Sequence, residues 1–179
     1  MTGEKVEYYF RKVGKEEIKE KGYLPDEGWE FNWLRPLTHK YEVFGLITKE
    51  RPDEVEGLIA VMLNDDPDFM CVDIEILESA PRNKKEIKGY SNLRRMYIGV
   101  GRCLIAFACQ YSLDNGFDGY VGLAAKTSKM ELYESMGAMA VNGYGFDTGA
   151  QGYMFTQGAA LNIVKEYFPG GVLWWPEQM

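Results

Sequence analysis

Three apolar runs in close succession constrain this chain most: "YEVFGLIT" (Tyr41–Thr48), "VEGLIAVML" (Val55–Leu63) and "FMCVDIEIL" (Phe69–Leu77). Each has the length and the β-branched and aromatic content of a strand. The links "KERPDE" and "NDDPD" carry the proline and charge of tight connections. Runs joined so closely are expected to pair with one another as antiparallel neighbours. In the third run Val72, Ile74 and Ile76 alternate with Asp73 and Glu75, so one face is predicted to meet the core while the other carries carboxylates. The run should end at "SAP", because Pro81 has no N–H to give to a ladder.

Downstream the period changes. Gly101 to about Asn115 predicts a helix, with Leu104, Ile105, Ala108, Tyr111 and Ser112 on one stripe and Gly116 past its last turn. "YVGLAAK" (Tyr120–Lys126) reads as a strand. "SKMELYESMG" reads as a short helix, with Ser128 and Glu131 as a capping box and Gly137 as its stop. "AMAV" and "GYMFT" are two further strands around a Gly-rich stretch, and "AALNIVKEYF" is a last amphipathic helix. The first forty residues are the least readable, with a short helix at "EEIKEKG" and a turn at "PDEG". At the other end, residues 169–179 form a hydrophobic tail whose Trp174 and Trp175 either cover the sheet or meet a partner subunit, leaving a homodimer open. The order of strands, helix, strand, helix and strands predicts a mixed α/β (α+β) sheet, and 179 residues fit a single domain.

Composition removes several classes of function. A net charge of −7 argues against nucleic-acid binding, which needs a basic surface, and leans towards cationic partners such as amines. Cys71, Cys103 and Cys109 form no CxxC pair and sit in apolar stretches, as expected of a reduced, cytoplasmic protein. His39 is the only histidine and there is no GxSxG elbow, so neither a serine-hydrolase triad nor a zinc site is expected. The opening "MTGEKVEYYF" lacks a leader's apolar stretch, and no run has the length of a membrane span.

The stretch "YIGVGRCLIAF" (Tyr97–Phe107) sets Gly99 and Gly101 at the mouth of the predicted helix. It is either a turn feeding a buried helix or a cradle of main-chain amides for a phosphate. A dinucleotide fingerprint would need a third glycine where Leu104 stands, and a Walker loop would need Gly-Lys-Ser/Thr. What remains is an anion held by the unpaired N–H groups and positive dipole of a helix N-terminus, with Arg102 adding charge. The basic segment before it, Arg82–Arg95, is either a solvated loop or a neighbour of an anionic ligand.

Taken in order, "EILESAP" (Glu75–Pro81), "IGVGRCLI" (Ile98–Ile105) and "ELYESMGA" (Glu131–Ala138) resemble the central strand, pyrophosphate loop and late tyrosine segment of the GNAT superfamily of acyl-CoA-dependent N-acyltransferases. The resemblance spans about Val55 to Thr156. It departs from the family pattern at Met96, at Lys126 and in the long segment Arg82–Arg95.

The resemblance implies a sheet splayed between its two middle strands, with acetyl-CoA as co-substrate and no metal. Ile98, Gly99, Val100, Gly101 and Arg102 would hold the pyrophosphate, Lys126 would add charge, and main-chain groups at Leu77, Glu78 and Ser79 would bond the pantetheine arm. Gly122, Ala124 and Ala125 are small enough to leave it room. Glu75, or Asp73 in its place, would be the base that frees the amine, and Tyr133 the acid that protonates the thiolate. The acceptor is an amine on a small molecule or a protein, with Met1 to Lys40 as a candidate acceptor-side segment. A non-catalytic acyl-CoA sensor and a GNAT-like interaction module are the alternatives.

Overall fold

The third apolar run becomes the middle strand of a seven-stranded sheet. The computed structural model describes residues 4–125, 129–142 and 150–176. In chain order the elements are β1 (Tyr8–Val13), α1 (Lys15–Lys21), α2 (Arg35–Thr38), β2 (Glu42–Thr48), β3 (Gly57–Asn64) and β4 (Cys71–Ser79). A small hairpin, β5 (Glu86–Ile87) with β6 (Tyr90–Ser91), precedes α3 (Val100–Asp114) and β7 (Val121–Ala125). The chain continues through α4 (Met130–Ser135), β8 (Met139–Val141), β9 (Gln151–Phe155) and α5 (Gln157–Tyr167). The strand order is β1-β2-β3-β4-β7-β9-β8, and β5 and β6 pair only with each other.

The ladder is mostly antiparallel. β1 pairs antiparallel with β2, and β9 antiparallel with both β7 and β8, whereas β4 and β7 are parallel. β2, β3 and β4 are consecutive neighbours, and connections this short leave no room for a parallel crossover.

Two compact units divide the chain. The first comprises Met1–Ala60, Ile76–Leu104 and Val172–Met179. Its core gathers Tyr9, Val13, Ile18, Trp29, Trp33 and Leu58, so much of it comes from the forty residues that are hardest to read. β1 went unrecognised in the sequence because its Arg11 and Lys12 interrupt the apolar pattern. Its outer edge is closed by the tail: the Phe10 N–H donates to Leu173 O at 2.8 Å, and the Trp175 N–H donates to Phe10 O at 2.8 Å. Trp174 lies edge-on to Phe44 at 5.7 Å and Trp175 edge-on to Tyr9 at 5.1 Å. The two tryptophans thus pack on residues of β1 and β2, and the tail pairs with the β1 edge at Phe10.

The second unit comprises Val61–Glu75 and Ile105–Gly171. Here β7 pairs on one side with β4, through Val72, Asp73 and Ile74, and on the other with all five residues of β9. Leu104 to Cys109 of α3 are all buried, a wider apolar face than the stripe predicted. α5 starts at Thr156, whose side chain accepts the Ala159 N–H. Lys129 precedes α4 and makes no side-chain cap bond. Ser128 lies outside the described residues.

β3 crosses the start of α3 at Gly57 because it has no side chain there. A Cβ at this position would stand 2.6 Å from Val100 Cγ1 and 3.1 Å from both Glu78 O and Leu104 Cδ1. Gly57→Ala is therefore expected to lower the free energy of unfolding by about 1–3 kcal/mol, as overpacking does elsewhere. Urea denaturation measures this, and an unshifted midpoint would mean that the helix yields at no cost.

Candidate functional site

The first turn of α3 opens on a glycine turn. Gly99 has φ +81°, a conformation open to glycine and strained for residues with a side chain. From there its carbonyl accepts the Cys103 N–H at 3.0 Å, the first bond of the helix. The N–H groups of Val100, Gly101 and Arg102 precede any intrahelical acceptor and lie at the positive end of a fifteen-residue helix. A Cβ on Gly99 or Gly101 would meet nothing within 4 Å, so the main chain is open on that side at both positions. Ile98 and Arg102 are exposed, while Val100 packs inward.

Behind the loop lies a buried polar cluster that sequence reading missed. Glu56 is 1% exposed and forms ion pairs with Arg51 at 3.5 Å and Arg82 at 2.9 Å. Asn83, fully buried, donates through Nδ2 to Glu56 O and to Glu56 Oε1, each at 3.0 Å, and accepts the Tyr97 N–H through Oδ1 at 3.0 Å. Arg95 Nε donates to Asn83 O at 2.8 Å. Of the two readings left open for Arg82–Arg95, a wholly solvated loop is therefore excluded. Arg82, Asn83 and Lys84 are committed to internal partners, and Lys85 and Lys88 stand exposed.

The candidate residues of β4 divide by face. Asp73, Glu75, Leu77 and Ser79 alternate with Val72, Ile74, Ile76 and Glu78. Asp73 and Glu75 are half-buried, and Glu75 Oε2 is closed off from solvent. Glu78 falls on the side of Ile74 and its side chain is 5% exposed. It accepts hydrogen bonds from Glu30 N (2.5 Å), Phe31 N (3.2 Å), Trp33 Nε1 (3.0 Å) and Lys84 Nζ (2.6 Å). That carboxylate is a structural anchor for the segment before α2. Its position two residues after Ile76 was the available signal, since it places a charge where the period calls for a buried group.

The β4–β7 ladder contains three pairs, the last being Ile74 with Leu123. β4 then runs on to Ser79, and among the described residues no pair with β7 continues beyond Ile74.

Tyr133, on α4, is 6% exposed and packs against Tyr153 with ring centroids 6.3 Å apart. Burial pushes its phenol up to about 12, so it carries its proton throughout the neutral range. Tyr153 donates to Glu134 Oε1 at 2.6 Å, and that bond raises its phenol as well. Burial raises all three thiols, Cys71 and Cys109 to about 12 and Cys103 to about 11, which disfavours the thiolate form in each. Lys126 lies outside the described residues. Glu78 O and the Val100 side chain both lie close to Gly57, within 3.1 Å of where its Cβ would stand.

No family model and no curated protein matches the sequence. Solved structures do. The chain superposes on a GNAT-family acetyltransferase from Listeria monocytogenes 4b F2365 with a TM-score of 0.58 and 11% identity, over 87% of this chain and 98% of that one. The spermidine/spermine N-acetyltransferase SpeG from Vibrio cholerae gives a TM-score of 0.54 at 16% identity, covering 87% and 96%. The toxin AtaT, bound to the C-terminus of the antitoxin AtaR and to acetyl-CoA, gives 0.52 at 11%, covering 90% and 98%. Together with the central β4, the ladder that stops at Ile74 and the glycine turn opening α3, these likenesses show that the chain has the fold of the GNAT acetyltransferases.

Proposed function

We propose that this protein is an acyl-CoA-dependent N-acyltransferase that moves an acetyl group from acetyl-CoA to a primary amine. The observation that carries this reading is the unobstructed pair of glycines at the start of α3. Main-chain amides there meet a pyrophosphate regardless of which side chains surround them. In the same reading Lys126 adds positive charge, and the main chain of Leu77, Glu78 and Ser79, past the end of the ladder with β7, bonds the pantetheine arm as an added strand would. One of these N–H groups polarises the thioester carbonyl and stabilises the negative charge that builds on its oxygen.

The attacking amine must first lose a proton, because an alkylammonium has a pKa of ~10.4. Glu75, on the face of β4 that bears Asp73, takes that proton directly or through water. The nitrogen then adds to the thioester carbon and sheds its second proton to solvent as the C–S bond breaks, and the CoA sulfur leaves as a thiolate that Tyr133 protonates, the phenolate regaining a proton from water. The Tyr133 phenol is protonated at neutral pH, as a proton donor must be, but burial pushes it up to about 12 and so makes it a weaker acid than an ordinary tyrosine. The net charge of −7 fits a cationic acceptor, either a small amine or an amine of a protein.

CoA is expected to raise the melting temperature of the protein, as any ligand specific to the folded state must. Release of thiol from acetyl-CoA with a panel of amines tests turnover, and binding with no turnover would mark a sensor instead. Glu75→Gln should keep CoA affinity and lower turnover at pH 7 by about 100-fold. The deficit should shrink as pH rises towards the amine's own pKa, because free amine then no longer needs a base. A deficit that does not change with pH would remove Glu75 from the proton transfer. Tyr133→Phe should keep the fold and slow turnover by about tenfold or more; equal rates in steady-state assays would leave that ring a packing role alone.

A further inference from the structure

The long segment between β4 and α3 departs from the family pattern, and three of its charges, Arg82, Lys84 and Arg95, are bound to internal partners while Lys85, Glu86, Lys88 and Arg94 are exposed. We propose that Asn83 is a positioning residue for the cofactor loop, transmitting the fixed geometry of Glu56 to Tyr97 and so to the amides of Val100, Gly101 and Arg102. This rests on the reading of that loop as the CoA site.

The Asn83 side chain can sit only one way round. Nδ2 faces two oxygens of Glu56 and Oδ1 faces an N–H, each at 3.0 Å. Turning the amide over would set oxygen against two oxygens and an NH2 group against a donor. Glu56 is held in turn by Arg51 and Arg82. Asn83 also grips the loop through its main chain, accepting Arg95 Nε at 2.8 Å. A further strap comes from Asn92, whose Nδ2 donates to Arg82 O at 3.1 Å and Lys84 O at 3.0 Å. The excursion through β5 and β6 is thereby stitched to residues 82–84 just before Gly99. A cradle of main-chain donors binds well only if its amides already converge, since ordering them on binding subtracts from affinity. Asn83 supplies that order without touching the ligand.

The test compares wild-type protein with Asn83→Asp, a near-isostere that turns a donor into a carboxylate facing Glu56. Calorimetry with CoA and with pantetheine, which lacks the pyrophosphate, is read beside amide hydrogen exchange over residues 97–103. Asn83→Asp is expected to weaken CoA by about tenfold or more, leave pantetheine within about twofold, and speed exchange across the loop by about tenfold. Unchanged CoA affinity in the folded variant overturns the proposal. So does an equal loss for both ligands, which would signal general damage to the fold. If Asn83→Asp does not fold, Arg95→Gln replaces it, with the same pattern expected and the same outcomes against it. Should wild-type protein take up no CoA, the functional reading falls by itself, and the exchange rates alone decide whether Asn83 holds the loop.

Discussion

Two carboxylates kept from water hold the first unit together. Glu56 and Glu78 are 1% and 5% exposed, one just before β3 and the other near the end of β4. A buried charge is tolerable only when its lone pairs are met, and removing one partner of such a group typically costs about 3–5 kcal/mol. Glu78 meets this demand with two main-chain N–H groups, an indole and an ammonium. In doing so it ties the segment before α2 to the central strand. Glu56 meets it with Arg51, Arg82 and Asn83, and thereby fixes the chain leading into α3. The strand end and the helix start that form the candidate site are both placed by these two groups.

The candidate site divides its work between main chain and side chains. An anion cradle of helix N–H groups needs open space and the right backbone angles, which Gly99 and Gly101 provide. It makes little demand on neighbouring residue types, in keeping with a fold shared at 10–16% identity. Proton transfer is different, because it needs particular groups at particular places. Glu75 and Tyr133 are accordingly the residues on which the proposed chemistry, as distinct from the fold, depends.

Several elements were legible from local pattern alone. β2, β3 and β4 announced themselves by apolar runs between turn residues, and α3 and α5 by their period. β1 was not legible, because its polar residues hide a strand whose partner β2 begins only at Glu42. The role of the tryptophans in the tail was left open for the same reason: Phe10, on which the tail docks, lies more than 160 residues away. Within Arg82–Arg95 the exposed residues 85–91 fit a solvated loop, whereas Arg82, Lys84 and Arg95 bind internal groups. A run of charges looks alike whether its partners are water or buried carboxylates elsewhere in the chain.

The sequence by itself determined the order of strands and helices and the glycine turn at the head of α3. Both follow from steric and hydrophobic rules acting over a few neighbouring residues. Tertiary structure alone decided which charges are internal, where the β4–β7 ladder stops, and how Asn83 comes to face both Glu56 and Tyr97. Each of those depends on groups far apart in the chain being brought within about 3 Å, the range in which hydrogen bonds form, and no local pattern encodes that distance.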